Sequence, residues 1–353
     1  MNKVRPLRLV TRLPALIAVA LSGAGCGSAS HHAAPRLAPA RAAVASQVAL
    51  PEAKPSRAVA GGQPVDPSVF APGACVAFSP TGAARNLTVF LDAGHGGRDP
   101  GAVGITMSGR PVDEARLTLR VELETMALLR RDGFRVVVSR TRDTSMIHLG
   151  RGDTSGGILT PDGSHDDVTA RDVCANDARA NVLIGIYFNA GGPSNAGSVT
   201  GYDAVRPFAA ANRRLATLVQ TDVLAAMNAH GWGIPDEGVA VDTGLGSAVN
   251  RRAKAYGHLT LLGPAKAGWL TTPSRMPGAL IEPLFITDPF EASIAAGALG
   301  RRVIAGGIAR AVIAYFATGP PPARGATGPG RTHPFSPQQA QCCPGSAAAN
   351  NRR

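Results

Sequence analysis

No two cysteines of this 353-residue chain stand at CxxC spacing, so a thiolate zinc site has no support. No internal repeat is present, which excludes a solenoid or propeller. Aromatic residues are only 5% of the chain, and no basic helix or aromatic-interleaved patch occurs. The net charge of +12, with a pI near 10.3, therefore lacks the pattern of a nucleic-acid binder. The apolar run from Leu13 to Leu21 is too short for a permanent membrane span.

What that run does offer is an export signal. Lys3, Arg5, Arg8 and Arg12 precede it, and small residues follow up to Cys26. Leu21-Ser22-Gly23-Ala24-Gly25-Cys26 resembles a bacterial lipoprotein processing site, with Gly23 where a larger aliphatic residue is usual. The resemblance implies membrane anchoring through Cys26, and ordinary cleavage in the Ala-rich run beyond it is the other outcome. Either one puts the folded part outside the cytoplasm, in the cell envelope or secreted. Nucleic acid is then no partner, and a basic exterior suits an anionic wall or membrane surface. In such an oxidising compartment Cys75 and Cys174 can pair, while Cys342-Cys343 lie in a tail.

Composition divides the chain into a signal segment at 1–26, an Ala/Pro-rich tether at 27–79, a folded domain at 85–318 and a disordered tail at 319–353. Within the folded region the hydrophobic period alternates. Leu87 to Leu91 reads as a strand, Glu114 to Arg131 as a helix stopped by Gly133, and Phe134 to Ser139 as a second strand. Strand, helix, strand of these lengths predicts a right-handed parallel crossover. The polar, Gly-rich segment from Met146 to Asp167 reads as a surface loop, followed by a helix from about Val168 to Ala180. The near-continuous apolar run Val182 to Phe188 indicates a strand buried on both faces. A strand near Ser198 to Tyr202 and a helix from Ala209 to Asn228 come next, then an irregular stretch from Gly231 to Gly278. Ala279 to Phe285 reads as the last strand, and Phe290 to Phe316 as a helix interrupted near Gly306-Gly307. The sum is α/β, a three-layer single domain with a mostly parallel sheet and helices on both faces, expected to be a monomer.

Three segments carry chemistry. Val89-Phe90-Leu91-Asp92-Ala93-Gly94-His95-Gly96-Gly97 is a buried strand ending in a glycine turn that holds one histidine, and ligands bind at that end of an open α/β sheet. Glu114 opens the first long helix. Glu282 sits inside the apolar run Ala279 to Phe285, where a carboxylate is costly unless paired or metal-associated. Taken singly, His95 reads more often as an ordinary polar residue, and Glu114 as a first-turn carboxylate favoured by the helix dipole. Glu282 is harder to dismiss, because charged residues are rarely buried without a partner.

The segments Asp92 to Gly97, Glu114-Ala115-Arg116-Leu117-Thr118-Leu119 and Met276 to Ala292 resemble, in order, the motifs of zinc-dependent N-acetylmuramoyl-L-alanine amidases of the cell-wall hydrolase type. The resemblance spans roughly Leu87 to Phe316. It implies Zn2+ as cofactor, His95 and Glu114 as metal ligands, Glu282 as the catalytic carboxylate and peptidoglycan as the partner. Zinc asks for three N or O ligands and leaves a fourth position, where bound water ionises near pH ~7. The family's third ligand is a histidine on the strand after a helix bearing an Arg and an Asn. Arg171 and Asn176 match, but the strand continues Gly185-Ile186-Tyr187-Phe188-Asn189, with Tyr187 in the histidine's place. A tyrosine ligates zinc only as a phenolate. Three outcomes stay open: Tyr187 ligates; His148, His165 or His258 swings in from a loop; or the site binds metal weakly and has lost hydrolysis. Asp92, Asp99 and Asn189 are candidates to orient ligands. The leading expectation is hydrolysis of the bond between N-acetylmuramic acid and L-alanine. A peptidoglycan-binding protein without catalysis is the rival, and a metallopeptidase cutting within the stem peptide a third reading.

Overall fold

A computed structural model describes residues 61–245 and 251–318. The export segment with Cys26, most of the expected tether and the tail beyond residue 318 lie outside these described residues.

In chain order the elements begin with Gln63–Pro64 (β1), Ala74–Phe78 (β2), Thr88–Ala93 (β3), Val103–Ile105 (β4), Pro111–Asp113 (β5), Glu114–Arg131 (α1) and Arg135–Arg140 (β6). Thr154–Ser155 (β7), Ile158–Leu159 (β8), Pro161–Asp177 (α2), Val182–Ile186 (β9), Ser198–Tyr202 (β10) and Ala209–Asn228 (α3) follow. Asp236–Val241 (β11), Arg251–Tyr256 (α4), Gly278–Glu282 (β12), Pro289–Ala296 (α5) and Ala298–Ala317 (α6) complete the set. Eight strands form one sheet in the order β1-β2-β6-β3-β9-β12-β10-β11. Its centre, β6-β3-β9-β12, is parallel, as is the outer β10-β11 pair, whereas β1-β2, β2-β6 and β12-β10 are antiparallel.

Side-chain alternation makes the three layers, because successive residues of a strand face opposite ways. Val89, Leu91, Val136, Val138, Val182, Ile184 and Ile281 enter a core shared with α1, α3 and α6. Their neighbours Phe90, Val137, Leu183 and Leu280 enter a second core, closed by Ala170, Val173 and Cys174 of α2. The sheet is covered on both faces, and the β3-α1-β6 unit is a parallel crossover, as the hydrophobic periods predict.

The folded region starts earlier than composition suggests. Residues 74–78, inside the expected tether, form β2 and pair with β6. Cys75 is fully buried and bonded to Cys174 of α2, closing a 99-residue separation. A loop of that size is worth on the order of 4 to 5 kcal/mol in the chain-entropy account of disulfides. Ala-rich composition hides this strand, since its burial is secured by the covalent link and by Phe78 and Val76.

Two further expectations are corrected. The helix expected from Val168 begins at Pro161: Thr160 accepts a hydrogen bond from Gly163 N at 3.0 Å, and proline suits a first turn. The helical break lies at Gly297, between α5 and α6, not at Gly306-Gly307. Gly307 lets α6 press onto α3, for a Cβ there would lie 2.6 Å from Val223 Cα.

One buried acid links α1 to the sheet and yields a stability prediction. Glu122 is fully buried, and its Oε1 accepts hydrogen bonds from Ala93 N, Ser139 N and Ser139 Oγ at 2.9 to 3.1 Å. Burial, only partly offset by Arg140, pushes its pKa up to about 8. In the folded chain it stays protonated while the unfolded chain ionises above about pH 4.5. Its contribution is therefore fullest below pH 4.5 and declines by about 1.4 kcal/mol per pH unit up to about pH 8. Glu122→Gln removes this slope, so the variant gains on the parent between pH 5 and 8 in urea unfolding. A difference independent of pH would refute the assignment.

Candidate active site

Three neighbouring parallel strands end together. Ala93 of β3 is level with Ile186 of β9, which is level with Ile281 of β12. The next hydrogen bonds, Gly94 N to Ile186 O and Tyr187 N to Ile281 O, are both 3.0 Å. His95, Tyr187 and Glu282 thus emerge side by side on the carboxyl rim, where open α/β sheets bind ligands.

The helix α1 delivers the fourth residue. Asp113 caps it by accepting from Arg116 N at 3.0 Å, which fixes Glu114 as the first helical residue. Residues 100–102 lie across this helix start, since Glu114 N donates to Ala102 O and Ala115 N to Pro100 O. Glu114 is 3% exposed, and it accepts from Ala102 N at 3.0 Å and from Phe188 N at 2.9 Å. Its Oε2 lies 3.2 Å from His95 Nε2. On the other side of the ring, His95 Nδ1 is 2.8 Å from Asp99 Oδ2.

The loop that holds His95 is shaped for the purpose. His95 has φ +62°, a left-handed conformation that costs a non-glycine residue on the order of 1 kcal/mol or more. Gly101, at φ +66°, lets the loop close: a Cβ there would lie 2.7 Å from both Glu114 Oε2 and His95 Cδ2. The fully buried Arg171 of α2 fastens the turn. Its guanidinium donates to Asp92 Oδ1 at 2.5 Å, Ala93 O at 2.7 Å, His95 O at 2.9 Å and Asp167 Oδ2 at 2.9 Å. Asn176 of the same helix pins the approach to β12 through Pro273 O and Arg275 N.

Electrostatics favour a cation between the acids. Burial lowers the pKa of His95, but the charge of Glu114 and hydrogen bonds to Asp99 and Glu114 outweigh it and raise the value to about 10. A proton on Nε2 lies between the two atoms that would hold a metal cation, and the cation would replace it. Two donors about 2.0–2.1 Å from a tetrahedral metal stand ~3.3 Å apart, and His95 Nε2 to Glu114 Oε2 fits that spacing. Glu282 lies close enough to feel both residues. Burial and then Glu114 raise its carboxyl to about 7, against a lowering by His95.

Tyr187 does something else. Its hydroxyl donates to Asp92 Oδ2 at 3.1 Å, and its ring meets that of His95 edge-on at 5.5 Å between centroids. Burial, followed by the charge of Asp92, holds the phenol well above its usual pKa. The alternative histidines are engaged elsewhere. His148 Nε2 is 3.3 Å from Pro67 O, and His165 Nε2 is 2.8 Å from Trp269 O. His258 pairs with Asp203 and Asp242. Asn189 turns to Ala190 N of its own loop, so among the proposed orienting residues it is Asp99 that touches His95 and Asp92 that touches Tyr187.

Sequence reasoning gave no role to Glu291. It is 1% exposed and holds the segment after β12 by accepting from Phe285 N at 2.6 Å and Gly197 N at 2.9 Å. Its spacing from Glu282 was visible, but its target, a backbone amide 94 residues away, was not.

A model of the N-acetylmuramoyl-L-alanine amidase family, amidase type 3, matches residues 89–314. The chain belongs to this family. The match takes in the rim of β3, β9 and β12 and the start of α1, and it makes the protein an N-acetylmuramoyl-L-alanine amidase, a hydrolase of the cell wall. Several solved amidases are similar to it. An N-acetylmuramoyl-L-alanine amidase from Clostridium difficile 630 is 25% identical, covering 66% of this chain and 97% of its own, with a TM-score of 0.46. The CwlD amidase of Clostridioides difficile, solved with the GerS lipoprotein, is 20% identical over 66% of this chain and 100% of its own, with a TM-score of 0.50. The catalytic domain of CwlV from Bacillus (Paenibacillus) polymyxa var. colistinus is 21% identical over 66% and 99%, with a TM-score of 0.46. Among curated proteins no sequence matches. Within the described residues no helix of the amidase is long and apolar enough to cross a membrane.

Proposed function

We propose that this amidase hydrolyses the bond between the lactyl group of N-acetylmuramic acid and the L-alanine of stem peptides, outside the membrane, with zinc held by His95 Nε2 and Glu114 Oε2. The observation that carries the reading is the convergence of those two atoms at 3.2 Å on the carboxyl rim that also bears Glu282. Bound zinc supplies an acidified water and polarises the amide carbonyl. Glu282 accepts the water's proton and returns it to the leaving amine, and a carboxyl near pKa 7 is suited to both transfers. Asp99 orients His95 through Nδ1, and Arg171 holds the His95 carbonyl, so the imidazole is set before substrate arrives.

The purified chain, stripped with chelator and reloaded with zinc, should free stem peptides beginning with L-alanine from purified cell wall. Peptides cut within the stem would indicate a metallopeptidase instead. Retention on insoluble peptidoglycan with no release at any zinc level would favour a binding protein, the reading that Tyr187 supports. A smaller effect tests the ligand geometry. Asp99→Asn should weaken zinc affinity at this rim by about 10- to 100-fold, read by competition with a chromophoric chelator. An unchanged affinity would detach Asp99 from the metal.

A further inference from the structure

The opposite rim of the sheet carries a second set of metal-ligand atoms. Because β10 runs antiparallel to β12, with Val199 level with Glu282 and Gly201 level with Leu280, the residue after β10 lies near the start of β12. Asp203 is thus about four strand residues, or ~13 Å, from the level of Glu282. Asp242 follows the end of the parallel neighbour β11, and His258 approaches from the segment after α4.

Asp203 and Asp242 are 0% and 1% exposed, and one ligand atom from each, with one from His258, all lie within 4.8 Å of one another. The distances from His258 Nδ1 are 3.0 Å to Asp203 Oδ2, and 3.3 and 3.2 Å to Asp242 Oδ1 and Oδ2. Tetrahedral donors at metal distance stand ~3.3 Å apart. Asp203 Oδ1 is satisfied by Val205 N and Arg206 N at 2.8 Å, and Asp242 Oδ2 by Leu259 N at 3.1 Å.

Asp203 Oδ2 is the observation that a simple ion pair leaves unexplained. It is buried, it lies nearer to His258 Nδ1 than either Asp242 oxygen does, and it accepts no hydrogen bond. The one hydrogen that Nδ1 can carry is directed at Asp242. An oxygen lone pair therefore faces the imidazole nitrogen with nothing between them. A third acid lies near: the buried Asp172, whose carboxyl burial holds well above the usual carboxylate range, acts with Asp203 and Asp242 on Tyr256. The cation that faces these acids is Arg206, whose guanidinium donates to Gly263 O at 2.6 Å and to Ser274 O.

We propose that Asp203 Oδ2, Asp242 and His258 Nδ1 bind one divalent cation of the zinc or manganese class, in a site separate from the catalytic rim. Two carboxylates and an imidazole suit such N/O-seeking ions. The ion cross-links the ends of β10 and β11 to the 256–264 segment, and its role is structural. The site does not depend on the zinc assignment at His95 and Glu114.

The test counts metal in the full chain after chelator treatment and titration with zinc chloride or manganese chloride, read by calorimetry and elemental analysis. A Glu114→Gln variant should keep one equivalent, and a further Asp242→Asn change should weaken that equivalent at least tenfold. At a hundredfold excess over Kd, the cation should raise the melting temperature of Glu114→Gln by about 5–10 °C. His258→Gln replaces Asp242→Asn should the latter fail to fold. Should neither fold, the equivalent and melting shift kept by Glu114→Gln decide the matter. A Glu114→Gln protein that binds neither metal and shows no shift overturns the proposal, leaving a histidine side chain set between two aspartates. A parent chain that binds no more metal than the one equivalent kept by Glu114→Gln would count against the catalytic zinc reading and leave this one standing.

Discussion

Glu282→Gln should lower the rate of stem-peptide release by two to four orders of magnitude, the span that positioned general acid–base groups contribute (~10²–10⁴-fold). Glutamine keeps the size and a hydrogen-bonding oxygen, but it can neither take a proton from water nor deliver one to the departing amine. The His95–Glu114 pair does not use the Glu282 side chain for any hydrogen bond, so metal content should be unchanged. Burial is what raises the Glu282 pKa first, and an uncharged amide escapes that cost, so the melting temperature should hold or rise slightly. Equal rates for parent and variant would remove Glu282 from the chemistry and favour a wall-binding protein. Loss of metal together with rate would make Glu282 a ligand instead.

The sequence made the centre of the fold legible because the central strands and α3 obey strong periods. The expected helix Ala209 to Asn228 is α3 residue for residue. Val182 to Ile186 is a strand buried on both faces, as its unbroken apolar run implies. What escaped notice depends on contacts distant in sequence. β2 looks like tether because it is only five residues long and follows an Ala- and Pro-rich stretch, and its partner Cys174 is 99 positions from Cys75. The first turns of α2, Pro161-Asp162-Gly163, look like loop because their helical state rests on a cap at Thr160. At the candidate site, the glycine turn and the two acids were visible as residue types in order. The strain at His95, the fastening by Arg171 and the engagement of Tyr187 by Asp92 depend on contacts between residues 76 to 95 positions apart or on a local backbone angle, which residue order does not reveal. The Asp203, Asp242 and His258 cluster is hidden in the same way, since His258 alone reads as a loop histidine.

Tyr187→His should tighten zinc binding on the order of 100-fold or more, above the 10- to 100-fold that a partner outside the ligand set carries. As it stands, Tyr187 must lose a proton to ligate, and both burial and the neighbouring Asp92 carboxylate oppose that loss. A neutral imidazole has no such cost and offers a lone pair at once. The change removes one donor from Asp92, but Arg171 still pairs with that carboxylate at 2.5 Å. A stability cost of about 1 kcal/mol, the net worth of one hydrogen bond, is therefore expected. Tyr187→Phe separates the two readings of the tyrosine. With the hydroxyl committed to Asp92, phenylalanine should leave zinc affinity within about twofold, while a tenfold or larger loss would show that the phenolate does ligate. If histidine brings no gain and phenylalanine no loss, this strand position does not address the metal at all. The two-ligand arrangement of His95 and Glu114 would then be the whole protein contribution to zinc on this rim.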